Sequence, residues 1–156
     1  MKNNYEVHVN EQLGVVVARL PRADFDYAVF KAAMGKLIRK YKNTTLGSGN
    51  DWCSSLGDYV FSYFNNWMKK KNFEKNVVTR ARCNFDDGDV FDERIGRFIA
   101  CDRMDMKIAE TACDFLCDFF NDMTEFLSDV RIQRGNLGGF SDRTFYHIEN
   151  LAKDKD

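Results

Sequence analysis

The sequence predicts an α+β fold, a small antiparallel sheet packed on long amphipathic helices, on three observations. Short β-branched or alternating runs stand at residues 5–9, 15–20 and 77–83, where half-buried strands are expected. Apolar residues recur at three- and four-residue spacing between and after them, as on helices with one buried face. The 156 residues include one proline and ten glycines, and 44% are hydrophobic, which excludes collagen-like and disordered chains and supports one core. The chain is therefore expected to form a single ligand-binding domain over 1–156.

Tyr5-Glu6-Val7-His8-Val9 alternates, Asn10 to Gly14 supplies turn chemistry, and Val15 to Leu20 reads as the return strand of a hairpin stopped by Pro21. Asp24 is positioned to cap a helix over Phe25–Lys42, followed by the loop Asn43 to Asn50. Asp51 is placed to cap a second helix whose Leu56, Tyr59, Val60, Tyr63, Phe64, Trp67 and Met68 form an aromatic face, and Lys69, Lys70 and Lys71 suit its C-terminal dipole. The third strand, Val77–Cys83, puts Val78, Arg80 and Arg82 on one face and Val77, Thr79, Ala81 and Cys83 on the other. An acidic turn follows, with Asp89 placed to cap a helix running from Phe91 toward Arg131 and ended by Gly135. Unbroken, that helix would be about 60 Å long at 1.5 Å per residue, so it bends or projects into a partner. Phe140 to Leu151 suits a last short helix.

Charge is unevenly distributed. Residues 1–82 carry a net +7 and residues 83–156 a net −8, against −1 overall. The halves could neutralise each other, within or between chains; otherwise the first offers a basic surface for phosphates and the second an acidic surface resembling nucleic acid. Glu110, Asp114, Asp118, Asp122, Glu125 and Asp129 fall within about 120° of one helix face, either a solvated face or a docking face for a protein partner. No apolar run approaches 18 residues, and the start, MKNNYEVHVN, has no apolar signal core, so neither membrane insertion nor export is expected. Cytoplasmic localisation follows as an expectation.

Five cysteines and two histidines show no CxxC or HxxxH spacing, so no metal site is expected and the thiols read as reduced and mostly buried. Asp86, Asp87, Asp89, Asp92 and Glu93 could supply oxygen ligands for a divalent metal, the basis of a nuclease or phosphodiesterase reading, but lack the pattern of an EF-hand and equally suit a solvated turn and helix start. GxSxG, GxxxxGK[ST] and GxGxxG are absent, so no enzyme activity and no cofactor are expected.

The most specific stretch is Ala81-x-Cys83-Asn84-x-Asp86-Asp87, then Phe91-Asp92-x-x-x-Gly96-x-x-x-Ala100-x-x-Arg103. Asn84 and Asp86 can hydrogen-bond a ribose or base edge, Arg103 can grip a phosphate, and Phe73 can stack on a base. Free amides at the helix start favour anions. Alternatively, Asn84 shapes the turn, Asp86 solvates it and Phe73 belongs to the core. Arg103 lies about three turns into the helix, so reaching a ligand at the helix start needs a second chain or a bend.

This segment resembles the phage Thoeris anti-defence proteins of the first type, small sponges that sequester nucleotide signals made by bacterial immune systems. The resemblance covers about 20 residues, with a looser likeness in the order of elements. It implies a non-catalytic binder of a cyclic ADP-ribose isomer or cyclic oligonucleotide, assembled as a homodimer or higher oligomer with ligand sites between chains. It assigns ligand contact to Asn84, Asp86 and Arg103, stacking to Phe73, and no role to a membrane or nucleic acid. The family also uses an arginine from the earlier helical region, for which Arg39 is the candidate. Phe85 stands where the family usually has proline, and Gly88-Asp89-Val90 makes the loop about two residues longer. An inhibitor that binds a bacterial defence nuclease through its acidic helix, as anti-CRISPR proteins do, is the alternative reading.

Overall fold

The structure, a computed structural model, describes residues 5–42 and 51–153. It is α+β: β1 (Glu6–Asn10), β2 (Val15–Pro21), α1 (Arg22–Lys42), α2 (Asp51–Lys70), β3 (Asn76–Arg82) and α3 (Glu93–Lys153). The chain divides into two compact units, Met1–Leu116 and Cys117–Asp156. The first contains the sheet, α1, α2 and the beginning of α3. The second is the remainder of α3, on which the described side chains are exposed or half-buried. Among the described residues, no helix is long and apolar enough to cross a membrane.

The sheet is antiparallel in the order β1-β2-β3. Val9 pairs with Val16, which pairs with Ala81; Ala18 stands between Val7 and Thr79. One face therefore presents Val16, Ala18, Leu20, Val77 and Ala81, all buried. Small side chains let α3 approach: Val16, Ala18, Ala81 and Ala100 form one buried cluster, and a Cβ on Gly96 would stand 2.6 Å from Val16 Cγ2. The Thr79 hydroxyl donates to the Ala100 carbonyl at 2.7 Å, tying the strand to the helix. Of the face expected on α2, Val60, Phe64, Trp67 and Met68 are buried as the second half of the core, Tyr63 is half-buried, Tyr59 is exposed, and the Leu56 side chain lies outside the described residues. Phe64 and Trp67 pack edge-on against Phe115 at 5.1 and 5.4 Å between ring centroids.

Arg22 links three elements. Its guanidinium donates to Asp26 (2.6 Å), to the Met68 carbonyl near the end of α2 (2.8 Å) and to the Phe73 carbonyl before β3 (3.0 Å). Its own backbone N–H donates to Lys75 at 3.0 Å. With that group satisfied from outside, α1 starts at Arg22 directly after the strand, and Asp24, expected as the cap, sits in the first turn.

Two boundaries of α3 differ from expectation. The cap is Asp92, whose carboxylate accepts the Ile95 N–H at 3.0 Å; α3 begins at Glu93, which leaves Asp89 three residues short of the N-cap position. Gly135 does not end the helix: it lacks the left-handed φ of a C-cap glycine, and α3 absorbs the separate helix expected at 140–151. The expectation of buried thiols is also corrected. Cys83 and Cys101 are half-buried, and Cys113 and Cys117 are exposed because they lie on outward positions of α3. The Arg39 side chain lies outside the described residues.

Candidate functional site

The segment joining β3 to α3 is shaped by its own hydrogen bonds. The Cys83 N–H donates to the Gly14 carbonyl at 2.8 Å, holding the hairpin turn against the end of β3. Gly14 is required there on two counts: its φ is +58°, and a Cβ would stand 2.6 Å from the Phe85 ring. Phe85–Asp87 then makes one 3-10 turn, closed by Gly88 at φ +81°. The Asn84 carbonyl accepts the N–H groups of Asp87 (3.2 Å) and Asp89 (3.4 Å). The Asn84 side-chain amide donates to the Asp87 carboxylate, and Asp86 is exposed on the same turn.

Behind the turn lies a half-open cavity of about 280 Å³, bounded by the end of β3, the 89–92 segment and the first two turns of α3. Ala81, Phe91, Ile95, Gly96 and Ile99 supply its apolar wall, and Arg82, Cys83, Asp89 and Asp92 supply its polar groups. The Cys83 thiol is pushed above its usual range, first by desolvation and then by the nearby Asp89 charge. That is opposite to the shift that makes a cysteine nucleophilic. The helix start, expected to offer free amides to an anion, has its Ile95 amide taken by Asp92. Arg82 borders the cavity at a strand position whose side chain alternates to the opposite face of the sheet, with Val78 and Arg80.

The four residues singled out in the sequence occupy two places. Asn84 and Asp86 share the turn beyond β3. Phe73 precedes the other end of the strand, and β3 alone is about 20 Å long at its seven residues. There the Phe73 ring packs edge-on against Phe25 at 5.2 Å, with the Arg22 guanidinium 4.9 Å from its centroid and Lys107 Nζ 5.9 Å away. Arg103, one turn before Lys107 on α3, donates to the Arg80 carbonyl in the middle of β3. One chain thus gathers Asn84 and Asp86, and places Phe73 and Arg103 farther back along the same strand.

Phe91 and Asp92 line the cavity without having been singled out by their spacing. Both lie within the stretch that carries the resemblance, but spacing alone does not reveal which residues bound a volume. The opposite face of the sheet holds a broader, open recess of about 590 Å³ lined by His8, Arg19, Lys75 and Arg80 around Val17 and Val78. Arg19 is paired there with Glu6 at 3.9 Å. Glu74 also lines the recess, so carboxylates stand beside its cations. Compared with protein-family models, curated proteins and solved structures, the chain matches none.

Proposed function

We propose that the chain is a non-catalytic binding module that captures and sequesters a nucleotide signal of the cyclic ADP-ribose type, or a cyclic oligonucleotide. The observation that carries this reading is the cavity behind the Asn84–Asp89 turn, walled by residues of the resembling segment and its neighbours. An apolar wall suits the face of a base or ribose, and Asn84 and Asp86 stand at the adjoining turn to read polar edges. Phe73 and Arg103 lie farther along β3, so a pocket using all four takes two of them from a second copy of the chain. Binding at stoichiometric ratio suffices for this role, and no turnover is required.

The test is calorimetric titration of the full chain with cyclic ADP-ribose isomers. Asn84→Ala and Arg103→Ala should each weaken binding by about 1–3 kcal/mol, roughly tenfold to hundredfold. Phe73→Ala should cost about 1–3 kcal/mol if its ring stacks on a base. Asp118→Ala should leave binding unchanged. Wild type that binds no nucleotide refutes the reading.

One observation favours a second reading, an inhibitor that docks on a protein partner. Glu110, Asp114, Asp118, Asp122, Glu125 and Asp129 are all exposed. Such docking would weaken steeply with salt and would fail in Asp118→Ala.

A further inference from the structure

The C-terminal unit carries a pattern that neither the cavity nor the acidic row explains. Along it, Phe119, Met123, Phe126, Val130, Gln133, Leu137 and Phe140 follow steps of four, three, four, three, four and three residues. This is a period of 3.5, that of a supercoiled seam, with Met123, Val130 and Leu137 at a positions and Phe119, Phe126, Gln133 and Phe140 at d positions. Phe126 (58%), Val130 (48%) and Leu137 (69%) are largely exposed on this helix. Gly135, Gly138 and Gly139 occupy f, b and c positions, off the seam, and a Cβ at any of them would meet nothing within 4 Å. Three glycines weaken an isolated helix, so this one needs packing along its apolar seam.

We infer that residues 119–140 form a parallel, in-register coiled coil with a second copy of this chain. Charge complementarity selects both the partner and the direction. Asp129 falls at a g position and Arg134 at the next e position, five residues on. Residues five apart do not face each other on one helix, but in a parallel pair g meets the following e of the partner helix. An antiparallel pair would instead bring g positions together, Asp122 and Asp129 among them, acid against acid. The in-register arrangement also sets each Gln133 opposite its own copy, where two amides can hydrogen-bond and a slipped register would strand one of them. Phe120 and Leu127 at e positions widen the buried strip. The spacing supports this surface whether or not a nucleotide is bound elsewhere.

The test uses the full chain. Light scattering at micromolar concentration should give an oligomer. Phe126→Glu and Val130→Glu should each weaken self-association on the order of thirtyfold or more, as loss of a central apolar anchor does. Ile132→Glu is the control: Ile132 is equally exposed, at 59%, but sits at a c position, and its variant should assemble like wild type. In a Cys113→Ser, Cys117→Ser background, Gln133→Cys should cross-link chains rapidly on oxidation, since parallel register brings the two d positions together. A wild-type monomer, equal weakening by Val130→Glu and Ile132→Glu, or no cross-link through Gln133→Cys would each overturn the inference. Nucleotide titration reads a separate property, so failure of one claim leaves the other standing.

Discussion

Gly96→Ala should destabilise the protein even though alanine is the better helix former. A Cβ at residue 96 would stand 2.6 Å from Val16 Cγ2 and 3.4 Å from Val16 Cβ. The first distance is about an ångström short of ordinary carbon contact. Val16 cannot yield easily: it is fully buried, β-branched and in the central strand of the sheet. Overpacking of this kind costs about 1–3 kcal/mol, against a gain of up to about 1 kcal/mol in helix propensity. The net expectation is a loss of about 1–2 kcal/mol. Urea unfolding followed by tryptophan fluorescence measures it, because Trp67 is buried against Phe115. Two companions sharpen the result. Val16→Ala alone leaves a cavity and costs about 2 kcal/mol, but combined with Gly96→Ala it removes the colliding methyl groups. The double variant should therefore be less destabilised than the sum of the singles by about 1 kcal/mol or more. Gly135→Ala, where a Cβ meets open space, should instead favour its helix by about 0.5–1 kcal/mol. If Gly96→Ala stabilises the protein as an open helical site would, the close approach of α3 to β2 is wrong, and with it the wall of the cavity.

Arg22→Ala removes three donated hydrogen bonds and leaves the Met68 and Phe73 carbonyls and the Asp26 carboxylate without that partner, so stability measured by urea should fall by about 3 kcal/mol. Asp26 is held above its ordinary carboxyl pKa, foremost by desolvation, with the Arg22 hydrogen bond and charge opposing. The folded chain binds that proton more tightly than the unfolded chain, so its contribution to stability falls as pH rises from 3.8 through the folded value, and Asp26→Asn should flatten that part of the profile. Cys83 and Cys101, half-buried and with thiols shifted upward, should alkylate more slowly at neutral pH than exposed Cys113 and Cys117, as read by peptide mass spectrometry; equal rates would contradict their burial. Cys113→Ala with Cys117→Ala should preserve nucleotide binding in calorimetry, and binding that depends on added zinc in wild type would overturn that expectation.

The strands and the inner positions of α2, Val60, Phe64, Trp67 and Met68, were legible because each element buries one side, and burial imposes a period of two or of about 3.6 on the sequence. Val16, Ala18 and Ala81 turn inward as their alternation requires. What was not legible depends on groups distant in sequence or on backbone bonds. Asp89 and Asp92 are equivalent candidates on paper. Only the start of α3 at Glu93 puts Asp92 at the cap, where its carboxylate accepts the Ile95 N–H. Gly135 carries a stop signal by composition, but its φ decides the matter, and α3 continues. At the candidate site, the sequence placed Asn84 and Asp86 on one polar turn, where the structure has them. It could not foresee that Asn84 would be bonded to Asp87, or that Phe73 would sit beneath Arg22 and against Phe25, since those partners come from tertiary packing. Phe73 itself is half-buried, at the edge of the core rather than within it.

The central claim is capture of an intact nucleotide. It is tested most directly by exposing the full chain to lysate from cells with an activated nucleotide-signalling immune response, re-purifying it, denaturing it by heat and identifying the released small molecules by mass spectrometry. The account predicts an uncleaved cyclic nucleotide of the cyclic ADP-ribose type or a cyclic oligonucleotide, close to stoichiometric with the cavity-bearing chains and much reduced from Asn84→Ala and Arg103→Ala. Recovery of cleaved fragments would contradict sequestration, and recovery of no nucleotide from wild type would contradict binding itself.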